Sequence, residues 1–247
     1  MKTFRVMLKT ELKLSLRGMD MLIFAIIMPL VVLLIIGMIF GGKPAIEGAE
    51  YTFLDQSFGA LATISICAGG VMGLPLVVSD YRGRKILKRF RATPVSPAMI
   101  LIVQVAIYTL YSAISLILLY LTANMFFGFQ MRGSFVHFLG GYILVIFSMF
   151  SLGMMVGGIA PDTKSAGVIA SLLYFPMLIF SGATLPYEIM PPAFQTVANV
   201  LPLTQGIKIL KAACLGLPPE NAAVPALIMA ALAVICVTVL FLFFKWE

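Results

Sequence analysis

The chain contains little charge and few of the side chains that perform chemistry. Only 11% of its 247 residues are Asp, Glu, Lys or Arg, against about 25% in a typical soluble domain. None of these four residue types occurs inside the six long apolar segments given below. Carriers and pumps driven by ions need ionisable groups within the membrane, so this absence argues against that class. The single histidine and the scattered tyrosines also lack the pattern of a nucleophile with its base, which argues against an intramembrane hydrolase.

Cysteine is equally scarce. There are three cysteines, and no pair has the spacing of metal ligands. Cys67 and Cys236 lie in predicted spans, and Cys214 lies in a predicted loop. We therefore expect reduced or inert thiols, with no disulfide framework and no metal site.

The abundant component is apolar, because 61% of the residues are hydrophobic. Backbone in lipid must satisfy its own hydrogen bonds, and continuous apolar runs favour helices over a barrel. The predicted fold class is an all-α integral membrane protein, with one six-span domain over residues 1–247. The predicted transmembrane helices cover residues 21–40, 58–78, 98–123, 135–159, 166–182 and 222–244.

Two of these spans have features that bear on packing. Pro29 predicts a kink in span one. Span two is rich in small residues, including Gly69 and Gly73, which allow helices to approach closely. Packing within one chain is favoured over packing between chains.

Residues 1–20 form a predicted amphipathic helix that lies at the membrane interface. Arg5, Lys9, Lys13 and Arg17 make one i, i+4 stripe, while apolar side chains cover the other side. The alternative is the basic part of a cleaved signal peptide. The following apolar run has 22 residues and is long enough to span a membrane, which favours the interfacial helix.

Residues 183–217 are apolar but broken by four prolines, so they cannot form one straight helix. We expect short re-entrant helices that dip into the outer membrane face before span six. Non-helical backbone at that depth must be covered by protein or line a cavity.

The densest charge lies between spans two and three, where Asp80 accompanies six cations. They are Arg82, Arg84, Lys85, Lys88, Arg89 and Arg91. Cations that flank spans remain in the cytoplasm. The resulting topology places 13 of the 17 cations inside and four outside, with both termini cytoplasmic.

This basic block, residues 80–97, also has internal order. Ile86, Leu87 and Phe90 fall on one side of a short helix over residues 84–91. Thr93-Pro94 ends that helix, and Ser96-Pro97 starts the next one. Charge alone favours an anchor beneath the lipid headgroups. The apolar side of the helix, and the two prolines that join it rigidly to the next span, favour a helix that docks on another protein.

This loop resembles the cytoplasmic loop of ABC exporter permeases of the type-two family. The resemblance lies in the order of its parts, which are a glycine, a basic-apolar helix and then Ala92-Thr93-Pro94-Val95-Ser96-Pro97. The family often has glutamates before the glycine and Gly-Thr after it. This chain has Ser79-Asp80-Tyr81-Arg82 before Gly83 and Arg84 after it. The N-terminal helix and the segment around Gly182, Pro186 and Leu201-Pro202-Leu203-Thr204 extend the resemblance.

The resemblance implies that this loop is a coupling helix, which contacts a P-loop ATPase subunit. The implied coupling residues are Arg82, Gly83, Arg84, Lys85, Ile86, Leu87, Lys88, Arg89, Phe90, Arg91, Thr93, Pro94 and Pro97. ATP and magnesium are then expected on the partner, with no cofactor and no catalytic residue on this chain. Two permeases are also implied, as a homodimer or as a pair with a sister permease.

The spans contain no visible energy source, so uphill transport needs a partner at the cytoplasmic face. We therefore expect a multi-pass cell-membrane permease of an ATP-driven exporter. Its uncharged spans suit a hydrophobic or amphipathic substrate, such as a drug or lipid, and a polysaccharide remains open. The net charge of +7 is explained by orientation and anionic membrane lipids rather than by nucleic acid. The alternative is a passive channel or a membrane scaffold without an ATPase partner.

Overall fold

The computed structural model describes residues 2–45, 51–91, 96–182, 190–218 and 220–244. These residues form helices, with no strand among them. The α-helices in chain order are α1 (Lys2–Gly18), α2 (Asp20–Leu22), α3 (Met28–Phe40), α4 (Phe53–Cys67), α5 (Leu74–Gly83), α6 (Ile86–Arg91), α7 (Pro97–Phe127), α8 (Phe135–Ile159), α9 (Thr163–Phe180), α10 (Pro192–Val200), α11 (Pro202–Leu215) and α12 (Glu220–Phe243).

Six helical segments are long and apolar enough to cross a membrane, which confirms the predicted six-span fold. They are Ile23–Phe40, Phe53–Gly83, Ala98–Phe127, Phe135–Ile159, Thr163–Phe180 and Glu220–Phe243. The fourth span has the predicted bounds. The second is five residues longer than predicted at each end, so three charged residues, Asp55, Asp80 and Arg82, belong to its helix.

The early start of span two has a local cause, a capping box at Thr52. The Thr52 hydroxyl accepts from the Asp55 N–H at 3.1 Å, and the Thr52 N–H donates to Asp55 Oδ2 at 2.9 Å. Each side chain satisfies a backbone donor that the first helical turn leaves unpaired. The polar pair therefore extends the helix beyond its apolar run.

Two π-helical turns interrupt the first two spans, at Ile23–Ile27 and Ala68–Gly73. Each is followed by a helix with a proline near its start, Pro29 in α3 and Pro75 in α5. Proline has no N–H and its ring collides with the preceding turn of an α-helix. A wider turn accommodates both effects. The sequence predicts a kink at Pro29, and the structure has a π-turn immediately before it, at Ile23–Ile27.

Glycines bring spans two and four into backbone contact. A Cβ atom added at Gly153 would lie 1.7 Å from the carbonyl oxygen of Gly70, and one at Gly157 would lie 2.9 Å from Pro75. A Cβ at Gly59 would meet the backbone of α11 at 3.0 Å. The small residues of span two therefore serve packing within the chain, as the sequence predicts.

The predicted segment of short helices, residues 183–217, contains α10 and α11 in its described part, and residues 183–189 lie outside the described residues. α11 is largely buried against α4, α8 and α12. It extends to Leu215, and Gly216 ends it with a left-handed φ of 68°. Cys214 is thus a buried helical residue, and its predicted loop position was wrong. All three cysteines are free and buried.

α1 packs its apolar side on the bundle. Phe4, Met7, Leu8 and Leu12 are partly buried against the core. The four cations of the predicted stripe are exposed on the opposite side. The helix therefore lies against the end of the bundle from which α6 also extends.

Candidate functional site

The candidate site is at one end of the bundle, here called the basic end. It comprises α1, the turn from α5 to α6, the turn from α8 to α9, and the C-terminal end of α12. Side-chain contacts of Tyr81 and Arg82 with all of these elements place them together. Most of the predicted coupling residues lie here.

The predicted short helix is present as α6, but it begins at Ile86 rather than at residue 84. Lys85 has a φ of 57°, in the left-handed region, and so separates α5 from α6. Thr93 and Pro94 lie outside the described residues, as do the side chains of Arg89, Phe90, Arg91 and Pro97. The backbone of α7 begins at Pro97 after Ser96, as predicted, although the Ser96 side chain makes no capping hydrogen bond.

Several of the predicted coupling residues form the exposed surface of this segment. Gly83, Arg84, Lys85 and Lys88 are exposed, and Arg84 Nε lies 2.8 Å from Asp80 Oδ1. An exposed pair of this kind contributes little to stability, about 0.5 kcal/mol or less. These cations are therefore available for an anionic surface, whether protein or lipid.

The apolar side of α6 is turned toward the chain's own bundle. Leu87 is 1% exposed and belongs to the hydrophobic core, while Ile86 is partly buried against it. Burial of a leucine side chain contributes about 1.5–3 kcal/mol. Leu87 thus fastens α6 to the bundle, and it does not lie on the surface that the sequence predicts for contact with another protein.

Arg82 also differs from the exposed cations around it, since only 7% of its surface is exposed. Its Nη1 donates to the carbonyl oxygens of Gly157 at 3.0 Å and Ala160 at 2.8 Å. Its guanidinium carbon lies 6.0 Å from the ring centre of Phe244. The last carbonyls of a helix lack partners within the helix, so Arg82 caps α8 from span two. It joins spans two, four and six rather than forming part of an exposed rim.

A second polar cluster links α1 to the same region, and sequence reasoning missed it. The Tyr81 hydroxyl and the Gln104 amide both donate to Glu11 Oε2, the latter at 2.8 Å. The Tyr111 hydroxyl donates to Ser15 Oγ at 2.9 Å. Glu11 is the sole acid in α1, which is the one sequence signal that could have indicated this contact. These bonds fix α1 to α5 and α7.

The left-handed turn at Lys85 sets the direction in which α6 leaves span two. The left-handed conformation costs a residue with a Cβ about 1–2 kcal/mol, whereas glycine adopts it freely. We expect Lys85→Gly to raise the thermal stability of the purified protein, by up to about 1 kcal/mol. Lys88→Gly is the matched control, because glycine within α6 should lower stability by about 1 kcal/mol. Both variants would be compared with the wild type by thermal unfolding in detergent. A change in stability in the same direction for the two variants would contradict this account of the turn.

Six membrane-crossing segments and a basic loop fastened to their end define a polytopic helical membrane protein. The sequence model of the ABC-2 type transporter family matches residues 2–215. The chain therefore belongs to this family of transport permeases. This agrees with the resemblance to type-two ABC permeases that the sequence shows.

Individual relatives match over shorter regions. Nodulation protein J of Rhizobium leguminosarum bv. viciae is 39% identical over 71 residues, which is 29% of this chain and 27% of the relative. Inner membrane transport permease YhhJ of Escherichia coli is 29% identical over 85 residues, or 34% of this chain and 23% of the relative. The matches thus span about a quarter of the length of these relatives.

Proposed function

We propose that the chain is the permease subunit of an ATP-driven exporter, with ATP and magnesium bound by a separate P-loop ATPase. The observation that supports this most directly is the basic loop, which presents exposed cations from a helix anchored in the core. The basic end then faces the cytoplasm, with both termini, in the cell membrane. A partner that closes on ATP would contact α6 through its exposed residues.

The anchoring of α6 gives such a movement a route into the bundle. Leu87 would carry it into the core. Arg82 would carry it to the ends of α8 and α12, and Tyr81 would carry it to α1 through Glu11. Leu87 connects α6 itself to the core, while Tyr81 and Arg82 connect the end of α5, which α6 follows, to three other parts of the bundle.

The middle parts of the spans, which contain no Asp, Glu, Lys or Arg, support a hydrophobic or amphipathic substrate, drug-like or lipid-like. Six helices form half of the proposed pathway, and a second copy or a sister permease supplies the other half. The exposed apolar faces of the first, fifth and sixth spans are available for that contact and for membrane lipids.

The test is a pull-down of the tagged full-length chain from native membranes in mild detergent. We expect a P-loop ATPase to co-purify with the wild type. Lys88→Glu reverses an exposed charge of α6, so we expect it to reduce recovery of the ATPase at least tenfold. Phe126→Asp is the matched control, because Phe126 is exposed at the opposite end of α7.

The alternative is a passive channel or scaffold protein, and the same experiment separates the two. A wild-type chain that purifies alone or only with its own copies would overturn the transporter proposal. Equal ATPase recovery with Lys88→Glu and the wild type would instead remove the exposed side of α6 as the coupling contact.

A further inference from the structure

A cavity of about 470 Å³ opens at the basic end, between α1, span two and the start of α7. Thr163 at the start of α9 completes its rim. Small-molecule sites in proteins commonly enclose about 300–1,000 Å³. The cavity therefore has the size for a ligand of a few rings, and it lies beside the proposed coupling loop.

The charge of the cavity wall has one sign. Glu11 and Asp80 line it, and no Lys, Arg or His occurs among the residues that do. Asp80 is paired with Arg84 outside the cavity, but Glu11 has no cationic partner among the described residues. A partly buried carboxylate without a counter-ion is costly. A ligand that brought a positive charge to Glu11 would remove that cost.

The hydrogen bonds of the wall leave acceptors for such a ligand. Tyr81 and Gln104 both donate to Oε2 of Glu11, so its Oε1 accepts no hydrogen bond from the described residues. Gln104 is 4% exposed and uses its amide N–H groups for Glu11 and Tyr81. The wall therefore orients Glu11 without neutralising it.

The rest of the wall is apolar and aromatic. Met21, Leu76 and Val77 supply aliphatic surface, and Tyr81 and Tyr108 supply phenol rings. Aromatic rings attract cations as well as apolar groups. A ligand with a delocalised or shielded positive charge inside an apolar body fits this combination, whereas a hydrophilic cation or an anion does not.

We propose that this cavity binds a lipophilic cation, with Glu11 as its counter-ion and Gln104 and Tyr81 as the residues that position Glu11. Transport of such a ligand would rest on the exporter function proposed above. Binding of the ligand does not rest on that function, because the cavity lies within one chain and requires no ATPase.

The test is a binding titration of the full-length chain in phosphatidylcholine nanodiscs, with empty discs as the background. The probes are tetraphenylphosphonium and tetraphenylborate, which carry the same four phenyl groups and opposite charge. We expect saturable binding of tetraphenylphosphonium to the wild type. Glu11→Gln, which can still accept from Tyr81, should weaken it about tenfold without weakening tetraphenylborate.

Two further variants make the result specific. Glu11→Asp keeps the carboxylate and should retain a preference for the cation. Glu220→Gln removes an exposed carboxylate at the start of α12 and should leave binding unchanged. No saturable binding above empty discs, or equal affinity in the wild type and a folded Glu11→Gln, would overturn the proposal. The assay contains no ATPase, so such a result would not bear on the pull-down.

Discussion

Gly153→Ala is expected to prevent the chain from accumulating as a folded protein in the membrane. Its new Cβ would lie 1.7 Å from the carbonyl oxygen of Gly70. That oxygen belongs to the backbone of the π-turn and cannot rotate away, so spans two and four must separate. Overpacking in a core typically costs about 1–3 kcal/mol and occasionally more. We expect about 3 kcal/mol or more here, because the clash is with backbone.

Gly140→Ala on the same helix is the matched control. A Cβ at Gly140 would meet no atom within 4 Å, and alanine is the better helix former. Size-exclusion chromatography of fluorescently tagged variants in detergent should show a monodisperse peak for Gly140→Ala and its loss for Gly153→Ala. Two similar peaks of similar thermal stability would show that the two spans are not in backbone contact at this point.

Arg82→Met should have the second largest effect, on both stability and coupling. It removes the donor that pairs with the carbonyls of Gly157 and Ala160. A hydrogen bond from a charged group contributes about 1.5–3 kcal/mol, and the buried carbonyls would be left without that donor. We expect a loss of about 3 kcal/mol or more, measured by thermal unfolding of the purified protein.

Arg84→Met separates this effect from the general loss of a cation in the loop. Arg84 is exposed and pairs only with Asp80 among the described residues, so its removal should cost about 0.5 kcal/mol or less. Under the proposed function, a folded Arg82 variant should also hydrolyse ATP with its partner while transporting less per ATP. Arg82 and Arg84 variants of equal stability would contradict the buried role of Arg82.

The sequence was sufficient to predict the helical architecture, for physical reasons that particular residues make clear. Apolar runs determine the spans, because lipid admits only backbone that satisfies its own hydrogen bonds. The predicted span two was too short at both ends. Its start was missed because hydropathy gives no sign of a polar cap. The pattern Thr52-x-x-Asp55 was the available signal for its start.

The inward position of Arg82 was not predicted, because composition treats the six cations of the block alike. A signal was present in the helical period. Leu74, Val78 and Arg82 follow one another at intervals of four, and the first two are buried. Once the helix is extended past residue 78, Arg82 lies on the same buried face.

The apolar side of α6 illustrates a different difficulty. The sequence correctly predicts a short helix with an apolar side, but periodicity does not reveal what that side contacts. Leu87 contacts the chain's own core. The Glu11, Tyr81 and Gln104 cluster joins residues 70 and 93 positions apart along the chain, and no local pattern predicts such a pairing.

The π-turn at Ala68–Gly73 makes the length of span two as important as its hydrophobicity. It holds one residue more than an α-helical turn would, and each residue of a helix advances the face by about 100°. A related chain that lacks one residue here can form an ordinary α-helical turn instead, so its equivalents of Tyr81 and Arg82 would keep their directions. The same deletion in the α-helical part of span two would turn the attached loop by about 100°, so alignments of this segment should place a one-residue gap within Ala68–Gly73.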